Sequence, residues 1–207
     1  MNGVRFLKLI GDARAFLQSA SLIEREIARL QVRDGDLSPV GGASGWPSHT
    51  VWESLKTASH FNLAIALELR LKCLLHLDGA KPPKGRDGHR LVGLYDRFGA
   101  RGVSTAAELE RLFGEAMNEH PFELVAFLST DDPAVPEGPA HRRLQSLRDL
   151  FAYMDEDVEL WRKRYAWEHA AGGQWQHYID DLSAFFAFLD TSETLAMEMA
   201  RKQGIVR

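Results

Sequence analysis

The sequence predicts an all-α protein, an antiparallel bundle of five or six helices around one central helix. Apolar residues recur at three- and four-residue spacing along most of the 207 residues. The segment 50–78 is apolar around nearly its whole circumference, and we find neither an internal repeat nor a convincing pair of strands. A chain of this length can bury a sizeable core, so we expect a single helical domain over residues 1–207.

The central helix is expected over residues 50–78. Thr50 and Glu53 have the spacing of a capping box at its start, and Gly79 provides the left-handed residue that ends it. Only a narrow polar stripe interrupts the apolar surface, so several neighbouring helices must cover this one. The core residues expected from this helix are Phe61, Ile65, Leu67 and Leu74.

Two segments precede the central helix. A first helix is expected over residues 4–31 and is expected to pack on one face only, with Gly11 as a candidate break. Gly and Pro are dense over residues 34–49, which predicts a long loop.

Further helices are expected after the central one. A short helix near 91–98 is followed by another that ends before Pro121. The run PFELVAFL after it favours helix over strand, and the next helix is expected from Pro139. The last helix is expected to begin near Ile179.

Charge and cysteine content limit the classes of function. Lys and Arg number 25 against 29 Asp and Glu, so the net charge of -4 does not indicate a nucleic-acid binder by itself. The single Cys73 cannot form an internal disulfide and is expected as a packed, reduced thiol. Charges interrupt the central helix and no secretory signal is present at the N-terminus, so we expect a cytoplasmic protein with no membrane contact.

Phosphate-binding loops and metal sites are not indicated. The chain has no G-x-x-x-x-G-K sequence, and its eight histidines lack metal-ligand spacing. His120 with Glu123 comes nearest, and beside Pro121 we interpret this pair as a helix end. No metal and no cofactor are therefore expected.

Two stretches can recognise an anion. Basic residues crowd the turn after the central helix, where a phosphate-facing surface and a merely solvated face are both open interpretations. Further along, Arg164 and His169 have four residues between them. A guanidinium pairs with phosphate oxygens in fork geometry, and an imidazole can move a proton near neutral pH. Such a pair can therefore act on one phosphodiester, although pairs of this kind also arise by chance.

Together these stretches resemble the HEPN family (higher eukaryote and prokaryote nucleotide-binding domains). Its members are helical bundles in which an A-x-E-x-x-x-K helix leads into a G-x-x-P-P-x-x-H-D-L turn, and a later Arg is followed by a His. The resemblance covers roughly residues 60–98 and 140–190 and implies a HEPN-like core over about 50–200. The matching residues are Ala66, Glu68, Lys72, Gly79, Pro82, Pro83, His89, Leu91, Arg164 and His169.

The resemblance implies an RNA-processing or toxin/defence-type protein that cleaves RNA without a metal or cofactor. His169 would act as the base towards the ribose 2′-hydroxyl, and Arg164 would stabilise the charge on the phosphate. It also implies a homodimer with both motifs in one cleft, and an antitoxin-like protein partner. The residues expected to bind RNA or a nucleotide are Lys81, Lys84, Arg86, His89, Arg90, Arg162, Tyr165 and Glu168.

Two other functions stay open. Competent members usually carry a small polar residue, often Asn, directly after the Arg, whereas Tyr165 follows Arg164 here. The alternative is therefore a non-catalytic HEPN-like module that binds nucleotide, RNA or a protein partner. A third interpretation is a structural helical adaptor, in which the aromatic residues Tyr165, Trp167 and Trp175 are core and the charges are solvated.

Overall fold

The computed structural model describes residues 2–34, 46–99, 103–122, 124–129, 140–142, 146–157, 174–179 and 181–207. These residues contain six α-helices, so the predicted helical bundle is confirmed. The helices are α1 (Gly3–Asp34), α2 (Trp46–Leu77), α3 (Leu91–Gly99), α4 (Val103–Glu119), α5 (Leu147–Asp157) and α6 (Ser183–Lys202).

A small antiparallel sheet accompanies the helices, and the sequence analysis did not predict it. Its strands are β1 (Leu124–Ser129), β2 (Ala140–Arg142) and β3 (Gln174–Ile179), in the order β2-β1-β3. The helix favoured for the PFELVAFL run is therefore wrong. The helix starts near Pro139 and Ile179 are wrong as well, because strands occupy those places and α5 and α6 begin later.

The physical reason for these errors is that a strand is defined by its partners. A short apolar run has no periodicity that separates a strand from a buried turn of helix. In the fold, Val125 of β1 pairs with His141 on one side and with Tyr178 on the other, and both partners come from distant parts of the chain. Those backbone hydrogen bonds decide the conformation, and no local pattern contains them.

Helix α2 is the predicted central helix, although it begins earlier than expected. It starts at Trp46, so Thr50 and Glu53 lie within the helix and the predicted capping box is wrong. Because α1 reaches Asp34, the loop expected over 34–49 is shorter at both ends. The part of that loop from 35 to 45 lies outside the described residues.

The C-terminus of α2 ends as predicted. Gly79 has a φ of 76°, in the left-handed region that favours glycine. Its N–H donates to the carbonyl of His76 at 3.2 Å, and the N–H of Ala80 donates to that of Leu75 at 2.8 Å. This pattern is a Schellman motif, which satisfies carbonyls that the helix itself leaves free.

Helix α1 packs along α2 and is continuous through Gly11, so no break occurs there. A Cβ added at Gly11 would meet no atom within 4 Å. The residues that α1 buries recur at helical spacing and are Phe6, Ile10, Ala13, Leu17, Ala20 and Ile27.

Buried hydrophobic residues from all six helices form one cluster. Leu67 and Leu74 of α2 lie within it, as predicted, but Phe61 is 38% exposed and Ile65 is half-buried. The expectation that these last two are core residues is wrong. They share a side of α2 with Glu68, and the other described helices leave that side partly open.

A largely buried ion-pair cluster joins α1, α2 and α6. Glu193 of α6 accepts hydrogen bonds from Arg14 of α1 and, at 2.7 Å, from Nη2 of Arg70 of α2. The Arg70 side chain is only 2% exposed, and burial lowers the pKa of its guanidinium despite the hydrogen bond to Glu193. Glu193 therefore compensates a charge that the core would otherwise bury alone.

Candidate nucleic-acid interface

The turn between α2 and α3, here called the basic turn (residues 79–90), contains the predicted binding residues that the structure describes. It includes the 3-10 turn Gly85–His89. A Cβ at Gly88 would lie 2.4 Å from the carbonyl oxygen of Pro83, a contact with backbone that cannot easily move away. Glycine is therefore required at this position, and this close approach fixes the backbone from which the His89 side chain projects.

His89 contacts Glu68, one of the two charged residues that the HEPN pattern includes on the preceding helix, and the other residue, Lys72, contacts the same carboxylate. Nδ1 of His89 lies 3.1 Å from Oε1 of Glu68, and Nζ of Lys72 lies 2.5 Å from the same oxygen. Glu68 and Lys72 are one turn apart on α2, so each restrains the other. The His89 side chain is 68% exposed and that of Glu68 is 16% exposed. With Nδ1 against the carboxylate, Nε2 is the ring nitrogen left to meet a ligand.

The exposed cations of the basic turn differ from the paired cations elsewhere on the surface. Lys81, Lys84 and Arg90 are exposed, and no ion-pair partner exists for them among the described residues. By contrast, the exposed Arg111 is paired with two glutamates and Arg148 with an aspartate. Positive charge that no described carboxylate pairs with attracts an anion to the turn.

Helix α5 is attached directly to the end of the basic turn through Asp155. Its two carboxylate oxygens accept the N–H groups of Leu91 and Val92 at 2.8 and 3.0 Å. A carboxylate at a helix N-terminus satisfies N–H groups that lack helical partners and is favoured by the helix dipole. Those two amides are therefore engaged by protein, and the cations and His89 are the groups left for a ligand.

The structure brings together part of the predicted site. Lys81, Lys84, His89 and Arg90 lie on the basic turn, and Arg86 lies in its 3-10 segment, although the side chain of Arg86 is not among those described. The other predicted site residues lie outside the described residues: they are Arg162, Arg164, Tyr165, Glu168 and His169.

Sequence reasoning did not assign a role to Asp155. This carboxylate caps a helix that begins 64 residues earlier in the chain, so no local motif relates the two. The nearest signal is the lack of a Ser, Thr, Asp or Asn directly before Leu91, where a self-capped helix would carry one.

Cys73 is buried, as predicted for a packed thiol, and burial raises its pKa to about 12. A thiol with so high a pKa is inert as a nucleophile near neutral pH. Among the described residues, no group of three or more His, Cys, Asp or Glu side chains is placed to hold a metal ion.

No protein-family model, curated protein or solved structure matches the chain. In the part that the structure describes, no helix has the length and apolarity needed to cross a membrane.

Proposed function

We propose that the chain is a HEPN-like RNA-processing protein that binds RNA at the basic turn and cleaves it without a metal. The observation that supports this proposal most is the contact of His89 with Glu68, which Lys72 also contacts. These three residues match the family pattern on a helix and a turn, and in the fold they form one cluster. The turn also carries cations with no ion-pair partner in the part of the chain that the structure describes.

The connection through Asp155 also supports the proposal. Asp155 holds the end of α5 beside the basic turn, and Arg164 follows nine residues later. An extended chain of that length spans at most about 30 Å, so the segment with Arg164 and His169 begins within reach of the turn. In the proposed reaction His169 accepts the proton of the 2′-hydroxyl, and Arg164 stabilises the negative charge on the phosphate.

Cleavage is tested with the purified full chain and a labelled single-stranded RNA in the presence of a chelator. We expect Arg164→Ala and His169→Ala each to reduce the rate by about 100-fold or more, since each removes one charge-stabilising or proton-transfer group. His120→Ala is the control, because His120 follows the end of α4, outside the basic turn, and its Nε2 lies 3.9 Å from the Glu119 carboxylate. Equal cleavage by all three variants and the wild type would contradict the catalytic assignment. The molar mass in solution, measured on the same samples, tests the proposed homodimer.

The non-catalytic module remains the second candidate, supported by Tyr165 after Arg164. Both candidates predict binding through phosphates, which weakens with salt because each bound phosphate releases counterions. The double variant Lys81→Ala/Lys84→Ala should bind RNA more weakly for every sequence. Its plot of log affinity against log salt should be flatter by about 1.4, or roughly 0.7 for each phosphate of the single strand that is no longer bound.

The matched control for this salt titration is Lys8→Ala/Arg111→Ala. It removes the same charge, but Lys8 is paired with Asp12, and Arg111 with Glu108 and Glu115. We expect the control to keep the wild-type slope. The same slope for both double variants would assign the basic turn to ordinary solvated surface.

A further inference from the structure

His89 is held more firmly than a residue that only contributes charge needs to be. On one side, Gly88 is packed against the Pro83 carbonyl, and on the other the N–H of Leu91 is held by Asp155. The ring itself lies 3.1 Å from Glu68, whose carboxylate is in turn held by Lys72. An exposed imidazole is thus restrained at both its backbone and Nδ1, and only Nε2 is left to meet a ligand.

A carboxylate at Nδ1 gives an imidazole two properties. It fixes the orientation of the ring, so that Nε2 always points the same way, and it stabilises the ring when both nitrogens carry protons. A doubly protonated imidazole is a proton donor at Nε2. Lys81, Lys84 and Arg90 of the same turn, for which no ion-pair partner exists among the described residues, would hold a phosphodiester nearby.

Cleavage of RNA by its own 2′-hydroxyl requires two proton transfers. The 2′-oxygen loses a proton as it bonds to phosphorus, and the 5′-oxygen gains one as its bond to phosphorus breaks. In the proposed function His169 performs the first transfer, and no residue has been assigned to the second. Without a donor, the 5′-oxygen would leave as an alkoxide, which is a poor leaving group near neutral pH.

We propose that His89, oriented by Glu68, is the general acid that protonates the departing 5′-oxygen. The inference rests on the proposed function and adds the missing proton donor. The 2′-oxygen bonds to phosphorus while the bond to the 5′-oxygen breaks, and the products are a 2′,3′-cyclic phosphate and a free 5′-hydroxyl. The proton on Nε2 of His89 moves to the 5′-oxygen, and the proton of the 2′-hydroxyl moves to His169.

The test compares two RNA substrates that differ in one atom. The first is ordinary RNA, and the second carries sulfur in place of the 5′-bridging oxygen at the scissile position. A thiolate leaves readily without a proton, so a general acid matters only for the oxygen substrate. We expect His89→Ala to slow cleavage of the oxygen substrate by about 100-fold or more. At saturating RNA, where weaker binding does not limit the rate, the same variant should lose far less of its rate on the sulfur substrate, and His89→Gln should behave in the same way.

Glu68→Gln tests whether the carboxylate of Glu68 orients the His89 ring or whether the Glu68 side chain only fills space beside it. The substitution keeps the size of the side chain but replaces the carboxylate that orients the ring at Nδ1, so the rate on the oxygen substrate should fall. The sulfur substrate should show a much smaller fall. His120→Ala again serves as the histidine control on both substrates.

The outcomes separate this inference from the proposed function. If His89→Ala slows both substrates equally, His89 serves only to bind RNA and the inference is overturned, while Arg164→Ala and His169→Ala still test the cleavage function. If the wild type cleaves neither substrate, the proposed cleavage function fails and the inference falls with it.

Discussion

Replacing Glu193 by alanine should destabilise the protein by about 3 to 5 kcal/mol, the cost of leaving a buried charge without its partner. The side chain of Glu193 is 13% exposed and that of Arg70 only 2%. Nε and Nη1 of Arg70 have no hydrogen-bond partner among the described residues. The buried positive charge of this guanidinium is therefore offset through the hydrogen bond from Nη2 to Glu193. Urea denaturation followed by circular dichroism measures the change.

Two further variants show whether buried charge is the cause. Glu198→Ala removes an exposed glutamate from the same helix and should change stability by no more than about 0.5 kcal/mol. Arg70→Met combined with Glu193→Met removes both partners and should recover most of the loss, because apolar residues of similar size replace buried ion pairs well. If the double variant is as unstable as Glu193→Ala, the unpaired charge of Arg70 is not the cause of the loss.

The same cluster should contribute to acid sensitivity. Burial raises the pKa of the Glu193 carboxyl, but hydrogen bonds from Arg14 and Arg70 outweigh burial and hold the pKa below its ordinary value. A carboxyl with a depressed pKa in the folded state stabilises the protein above its unfolded pKa, near 4.3, and loses that contribution as pH falls through the folded value. The double methionine variant should therefore lose less stability than the wild type between about pH 5 and pH 2.

Leu67→Ala should cost about 2 to 5 kcal/mol, through lost burial and the cavity left in the core. Leu67 is 1% exposed on α2, the helix against which α1, α3 and α6 pack. Leu22→Ala on α1 is the matched control, because Leu22 is 60% exposed and its loss should cost no more than about 0.5 kcal/mol. Equal effects of the two substitutions in chemical denaturation would show that α2 is not the centre of the core.

The sequence was sufficient to predict those elements that are determined by interactions within a few residues. The Schellman motif at Gly79 needs only a glycine at the right place, and α3 needs only the periodicity of its apolar residues. The start of α2 was misjudged for the opposite reason. Thr50 and Glu53 have capping spacing, but the helix continues through them to Trp46, and a cap pattern inside a helix looks the same in sequence as one at its end.

The candidate site, too, was predicted in part from the sequence and decided in part by the tertiary structure. The resemblance to the HEPN pattern selected Glu68, Lys72 and His89, and the apolar periodicity predicted a bundle around one apolar helix, because both patterns are contained in neighbouring residues. Only the tertiary structure decided that these three side chains meet, that Asp155 caps α3, and that the run after Pro121 becomes a strand. Each of these outcomes depends on a hydrogen bond or ion pair between segments far apart in the chain, and its partner is chosen by how the helices and strands pack.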